Sequence, residues 1–133
     1  MIINATIEER NYSLVPSVEL YIVHDFMGKE LPGLAIELFD AAAKEPYGIL
    51  TVCFGEFIAI KNAAYIDSNN MPPEILKACL DAGIAKETIL SKSASFGKSY
   101  PLWIFDEDFL RNNGGMNYRD YETVYSQYMK DIL

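Results

Sequence analysis

One histidine and two cysteines are the side chains in this sequence best suited to nucleophilic or acid–base chemistry. His24 is followed directly by Asp25, and the cysteines are Cys53 and Cys79. A Cys–His dyad would supply a thiolate nucleophile. Cys53, however, lies in an apolar run typical of a strand, and Cys79 lies on the apolar side of a predicted helix. Both settings raise the pKa of a thiol, so the pattern favours core packing over catalysis.

Metal and phosphate sites require spacings that this sequence lacks. One histidine and two distant cysteines do not form a zinc signature. The run Gly97–Ser99 is similar to the end of a phosphate-binding loop, but Lys92 stands where the first glycine of that loop belongs. The consecutive acids Asp106–Asp108 point in different directions on a helical turn, which favours a helix cap over a metal site. We therefore expect no cofactor and no metal, and the sequence contains no recognisable catalytic constellation.

The charge of the chain disfavours nucleic-acid binding. Nineteen acidic and eleven basic residues give a net charge of −8, whereas contact with a phosphate backbone needs clustered Lys and Arg. An acidic surface instead suits solubility, a basic protein partner, or imitation of a phosphate backbone. Solubility is the ordinary explanation, and a basic partner is the more specific one.

Length and hydropathy predict one globular domain covering residues 1–133. Half of the residues are hydrophobic, which suffices for a core without disulfides. No apolar run approaches the ~20 residues of a membrane span. Nor does the beginning of the chain show a signal-peptide pattern, so we expect a cytoplasmic protein with reduced thiols.

Runs of alternating or continuous apolar residues predict strands, and their short connections favour antiparallel pairing. The stretch Tyr47–Asn70 contains the longest apolar run, and we expect a central hairpin or bulged strand there, with Gly55 and Glu56 at its turn. The predicted strands are Met1–Ile7, Ser17–Val23, Leu34–Phe39, Ile49–Phe54, Phe57–Ile60, Ala63–Ile66 and Pro101–Phe105.

Three helices are predicted in the second half of the chain. Helical spacing of apolar residues indicates one over 73–82; a short one follows a cap at Asp106 and ends at Gly114; the third covers 117–132 with Asn117 as its cap. Within the basic segment Ala85–Ser99, the stretch SKSASFGKS (Ser91–Ser99) is predicted to be a mobile loop or hairpin tip, and the order of Lys86–Lys98 is left open. The expected fold is α+β: a mainly antiparallel sheet of four to six strands, packed against two main helices.

The last helix presents a stripe of tyrosines at helical spacing. As a core face this stripe is ordinary, and we weigh this interpretation more heavily. As a recognition or dimer face it also fits, because tyrosine is enriched at interfaces. Its members are Tyr118, Tyr121, Tyr125 and Tyr128.

Three segments resemble a family of short acidic proteins of unknown function from mobile genetic elements of Gram-positive bacteria. They are LPGLAIELFD (Leu31–Asp40), GEFIAIKNAAYIDSNN (Gly55–Asn70) and PLWIFDEDFLR (Pro101–Arg111). The resemblance covers roughly Leu31 to Asp131 and includes motifs of moderate specificity. It implies a bacterial cytosolic accessory protein, and it brings no catalytic residues with it.

Together these observations favour an accessory protein that acts by protein–protein interaction, in its narrower form an acidic anti-defence inhibitor. Its predicted interaction residues are the four tyrosines together with Asp106, Glu107 and Asp108. The alternative is a small enzyme or ligand-binding module with a site at the strand ends, formed by His24, Asp25, Glu56 and Asp67. A homodimer through the C-terminal helix is a third possibility.

Overall fold

Alternating burial along two long strands builds the first half of the fold. In the computed structural model, which describes residues 1–133, these two strands are β2 (Arg10–His24) and β3 (Glu30–Asp40). Every neighbouring pair of strands is antiparallel. The strands are β1 (Ile3–Ile7), β2 (Arg10–His24), β3 (Glu30–Asp40), β4 (Glu45–Ile49), β5 (Thr51–Val52), β6 (Ala63–Ile66), β7 (Ala85–Ser93) and β8 (Ser99–Phe105). The helices are α1 (Pro73–Asp81), α2 (Glu107–Gly114) and α3 (Met116–Ile132).

The strands form two four-stranded sheets that meet at Leu50. Their orders are β1-β2-β3-β4 and β5-β6-β8-β7. Leu50 donates its N–H to the carbonyl of Ile36 at 2.8 Å, and its own carbonyl accepts the N–H of Asp67 at 2.9 Å. β4 and β5 are therefore two halves of one bent strand. The outermost strands are β1 and β7, and β2 beyond Leu14 is unpaired on the side away from β3.

The inner faces of both sheets and one side of each helix enclose a cluster of 22 buried residues. Burying a large aliphatic or aromatic side chain contributes about 1.5–3 kcal/mol relative to leaving it in water, so these residues supply the main stabilising term. The side chains with almost no exposure include Leu14, Val18, Ile36, Leu38, Leu50, Ile66, Ile75, Ile84, Phe105, Leu110 and Tyr118.

The α+β class is confirmed and each of the three predicted helices is present, but the predicted single sheet of four to six strands is wrong, and a description by two main helices leaves out α2. The structure has eight strands in two sheets, and three helices. The hairpin tip predicted within Ser91–Ser99 is present, as the turn at Ser95–Gly97 between β7 and β8, but the strand β7 before it was not predicted. β7 is an edge strand with mainly exposed residues, so it lacks the apolar alternation that indicates a strand.

The predicted central hairpin at Gly55 is also wrong. Residues 53–62 form an irregular loop between β5 and β6. Phe57 lies against α3, with its ring centroid 5.3 Å from that of Tyr125 and 4.5 Å from that of Tyr128. A tertiary contact with a distant helix thus outweighs the local β-propensity of Phe57–Ile60.

The junction between α2 and α3 differs from the prediction by two residues. α3 follows Gly115, whose φ of +52° suits glycine, and it begins at Met116 rather than after an Asn117 cap. The amide of Asn117 instead donates to the carbonyl of Val18 at 3.1 Å and to Glu19 Oε2 at 3.0 Å. Asn117 therefore ties the helix junction to β2.

Candidate interaction surface

The first sheet has one face in the core and an outer face that no helix covers. Successive side chains of a strand point to opposite faces, and directly paired residues point to the same one. Leu14, Val18, Leu34, Ile36 and Leu38 face the core. We define the outer face by nine residues: those of β2 and β3 that alternate with the core-facing ones, and the two residues of β4 that pair with them. They are Val15, Ser17, Glu19, Tyr21, Ala35, Glu37, Phe39, Pro46 and Ile49.

Cross-strand pairing arranges the outer face in rows. Val15 pairs with Phe39, which pairs with Pro46, and in the next row Ser17, Glu37 and Ile49 lie side by side. Phe39 is 39% exposed and Ile49 is 53% exposed. Paired side chains on one face of an antiparallel sheet lie about 5 Å apart at Cβ, so these apolar groups form a continuous patch.

Two carboxylates and no base give the outer face its charge. Glu19 and Glu37 lie on adjacent strands, and none of the nine residues is Lys or Arg. Glu19 accepts hydrogen bonds from Ser17 Oγ and from the amide of Asn117, both at 3.0 Å. The carboxylate of Glu19 is therefore held in place beside apolar neighbours, which suits a partner with matching cations.

The predicted core packing of Cys53 is wrong: its thiol is exposed and lies at the Gly33 end of this face, since the strand β5 ends at Val52. A Cβ added at Gly33 would come within 3.0 Å of both Cys53 Sγ and the carbonyl of Tyr21, so only glycine fits under the Cys53 loop without a shift. Cys79, in contrast, is fully buried on α1, and burial raises the pKa of its thiol to about 12. Cys79 is protonated at neutral pH, in agreement with its predicted place in the core.

The tyrosine stripe lies mainly inside the protein. Tyr118, Tyr121 and Tyr125 are buried in the core, and Tyr128 is partly exposed beside Phe57. The structure thus shows the intramolecular packing of the first three, which leaves only Tyr128 accessible to a partner.

The hydroxyls of two of these tyrosines explain why the stripe is not leucine. Asn62 adopts a left-handed conformation with φ of +67°. Tyr118 donates its hydroxyl hydrogen to Asn62 Oδ1 at 2.8 Å, and the N–H of Asn62 donates to the Tyr121 hydroxyl at 2.9 Å. The carbonyl of Asn62 accepts the N–H of Phe105 at 2.8 Å. We call this arrangement the Asn62 clamp, and it fixes the end of the 53–62 loop against α3 and β8.

The three consecutive acids form the beginning of α2. The side chain of Asp106 accepts the N–H of Phe109 at 3.0 Å, as the cap prediction requires. Glu107 and Asp108 lie 3.2 and 3.4 Å from the guanidinium nitrogens of Arg111. These acids are exposed, and one arginine offsets part of their charge.

Three of the four residues of the alternative strand-end site, all except His24, have separate partners. Asp25 Oδ1 accepts the N–H groups of Met27 and Lys29 in its own turn. Glu56 contacts Lys92 at 2.8 Å, and Asp67 accepts the amide of Asn70. Among the five main clefts of the surface, none has more than one of His24, Asp25, Glu56 and Asp67 in its wall. The cleft beside Glu56 has a volume of about 20 Å³, too small for a metabolite.

The raised pKa values of two buried side chains, the Tyr121 hydroxyl and the Cys79 thiol, predict that the protein loses stability at alkaline pH. Burial raises the pKa of both Tyr121 and Cys79 in the folded protein. Above pH about 9–10 the unfolded chain releases these protons while the folded chain retains them, so the unfolded state binds fewer protons and stability falls as pH rises. Denaturant unfolding at a series of pH values should show a constant free energy near neutrality and a decline above pH about 9.

A Cys79→Ala variant is the matched control for this decline. It has no thiol to ionise, so its free energy of unfolding should decline less steeply over the same pH range. Equal slopes for the variant and the unmodified chain would show that the buried thiol does not contribute.

Comparison with known proteins found no similar sequence or structure. No family of known proteins, no curated protein and no solved structure matches the chain. None of the three helices has the length and apolar composition that crossing a bilayer requires. No group of three or more His, Cys, Asp or Glu side chains is placed to hold a metal ion.

Proposed function

We propose that this protein acts by binding another protein through the outer face of its first sheet. The observation that supports this most directly is the uncovered patch around Phe39 and Ile49, which carries Glu19 and Glu37 and no base. The partner surface is accordingly apolar at its centre, with Lys or Arg placed to meet the two carboxylates.

The chemistry of the patch fits the anatomy of protein interfaces. Apolar and aromatic side chains at the centre of a contact provide most of the binding energy, and flanking charges select the partner and speed association. Tyr21, 50% exposed, adds an aromatic ring at one end of the outer face. A nucleic acid would meet repulsion from Glu19 and Glu37, so a protein is the better occupant.

In the narrower form of the proposal, the protein is an accessory inhibitor from a bacterial mobile element that covers a basic, nucleic-acid-binding surface of its target. The net charge of −8 supports this form, because an acidic protein is attracted to a surface that evolved to hold phosphates. The outer face would then supply the apolar contacts, and the surrounding acids would guide the approach.

Affinity capture from a host lysate, with and without nuclease, tests the proposal when matched variants are included. The face variant carries Phe39→Ser and Ile49→Thr; the control carries Phe26→Ser, which alters a fully exposed ring at the β2–β3 turn. We expect the unmodified chain and the control to retain one stoichiometric protein after nuclease treatment. Losing about 3 kcal/mol of apolar contact would reduce capture by the face variant more than a hundredfold.

Circular dichroism and thermal melting should first show that the face variant is folded. A folded face variant that captures the same protein as strongly as the unmodified chain would contradict the proposal. A retained partner that nuclease removes would contradict direct protein binding.

A further inference from the structure

The hairpin formed by β7 and β8 is basic in an otherwise acidic protein. Residues 85–99 contain three lysines and the single acid Glu87, a net charge of +2, whereas the whole chain has −8. We call this segment the basic arm. Lys92 is held by Glu56 at 2.8 Å, whereas Lys86 and Lys98 make no ion pair within the chain.

The turn of the basic arm displays a phenylalanine in an unfavourable backbone conformation. Phe96 has φ of +62° and ψ of +31°, and the following Gly97 also has a positive φ, as in a type I′ turn. Asn-Gly is the favoured pair for that turn, and a bulky residue with positive φ is rare. Phe96 is 98% exposed, so no packing within the chain compensates for this strain.

A bulge in β7 places a second apolar side chain in water. Glu87 pairs with Trp103 and Ser91 pairs with Pro101, so three residues of β7 lie opposite Leu102 alone. Thr88 Oγ1 donates to the carbonyl of Leu102 at 2.7 Å and accepts the N–H of Leu90 at 3.1 Å, which holds the bulge in shape. Ile89, at the middle of the bulge, is completely exposed.

We infer that the basic arm of one copy of this chain binds the outer face of a second copy. The arm would lie along the face, with its lysines approaching Glu19 and Glu37 and with Ile89 and Phe96 in contact with apolar side chains of the face. The inference rests on the proposed function, since it names a partner for the same face. The contact is between copies, because Phe39 and Ile49 on the face and Ile89 and Phe96 on the arm are all exposed within one chain.

Charge decides between this arrangement and a symmetric one. Two outer faces in direct contact would bring together four carboxylates, Glu19 and Glu37 from each copy, without a cation between them. The arm supplies the missing cations and a similar mixture of apolar groups. An arm-to-face contact is heterologous: each added copy leaves one arm and one face free, so assembly continues beyond the dimer or closes into a ring.

The consequence for the proposed function is competition. A second copy and a foreign partner would occupy the same face, so the concentrated protein would be self-associated and the dilute protein would be available for its target. Salt should weaken the self-association, because screening reduces the attraction between Lys and Glu side chains at a partly exposed contact.

Sedimentation velocity over a wide concentration range tests the inference with two variants. The arm variant carries Ile89→Ser and Phe96→Asn, and the face variant is the one defined above. The unmodified chain should exceed dimer mass as concentration rises, and each variant alone should associate at least about tenfold more weakly. An equimolar mixture of the two variants should form a one-to-one dimer and nothing larger, because it contains one intact arm and one intact face.

Folding does not confound this test. Asparagine tolerates the left-handed conformation, so Phe96→Asn alone should raise the melting temperature while it weakens association. An unmodified chain that remains monomeric at every concentration would overturn the inference, as would variants that still oligomerise alone. If the chain is monomeric and the face variant still loses its captured protein, the proposed function survives. If self-association behaves as expected but the face variant still captures the protein from the lysate, the proposed function is contradicted and the binding of the arm to the face stands.

Discussion

Replacing Tyr118 and Tyr121 together by phenylalanine should lower the free energy of unfolding by about 2–5 kcal/mol, although the ring volumes hardly change. The two hydroxyls form the Asn62 clamp, at 2.8 Å to Asn62 Oδ1 and 2.9 Å from the N–H of Asn62. Without them, the partly buried amide oxygen and N–H of Asn62 lose their partners, and each orphaned group costs about 1–3 kcal/mol. Urea unfolding followed by tryptophan fluorescence would measure the change.

A double-mutant cycle separates the two hydroxyls. Asn62→Gly keeps the positive φ and the backbone N–H but removes Oδ1. In that background Tyr118→Phe should cost little, whereas Tyr121→Phe should cost as much as before. Tyr125→Phe is the control, since the Tyr125 hydroxyl makes no hydrogen bond within the protein. A cost for Tyr118→Phe that is unchanged by Asn62→Gly would show that the clamp is not its cause.

Gly114→Val should destabilise the protein by about 3 kcal/mol, because the end of α2 has no room for a side chain. A Cβ at Gly114 would lie 3.0 Å from the Cβ of Val18 and 3.1 Å from the Cβ of Tyr118. Both are attached directly to backbone, on β2 and α3, so neither can rotate away. The two helices would have to move off the sheet, and thermal unfolding would report the loss.

Gly48→Ala is the matched control for that substitution. Its added Cβ would meet only the terminal methyl of Met71, at an ordinary 3.6 Å. We expect a change within about 0.5 kcal/mol, since a mobile methyl group can adjust. Equal destabilisation by both substitutions would mean that the close approach of α2 to Val18 is not the cause.

The sequence predicted correctly those elements in which apolar residues recur at a regular spacing, every second residue in a strand or every three to four in a helix. Alternation in β2 and β3, the helical spacing of α3 and the acid cap at Asp106 all reappear in the structure. The loop at 53–62 could not be predicted in this way, because Phe57 is drawn to Tyr128 from far along the chain. β7 was not predicted because a bulged, mainly polar edge strand lacks the regular alternation of apolar and polar residues that indicates a strand.

The candidate surface depends on information that no single stretch of sequence contains. The alternation of β3 shows that Glu37 and Phe39 leave the core together. It does not show that Ile49 lies beside Glu37, which depends on the β3–β4 register and its irregularity at Leu38 and Phe39. The tyrosines could be predicted as a stripe, but the left-handed residue that engages their hydroxyls lies in a loop more than fifty positions earlier.

The bent strand at Leu50 has a consequence for how the protein opens. Leu50 is hydrogen-bonded to Ile36 in the first sheet and to Asp67, the residue directly after β6 of the second sheet. A fluctuation that detached either sheet would have to break a bond of this buried residue, so the two sheets should not unfold independently. The amide hydrogens of Leu50 and Asp67 should therefore exchange with solvent only through global unfolding, at the slowest rate in the molecule.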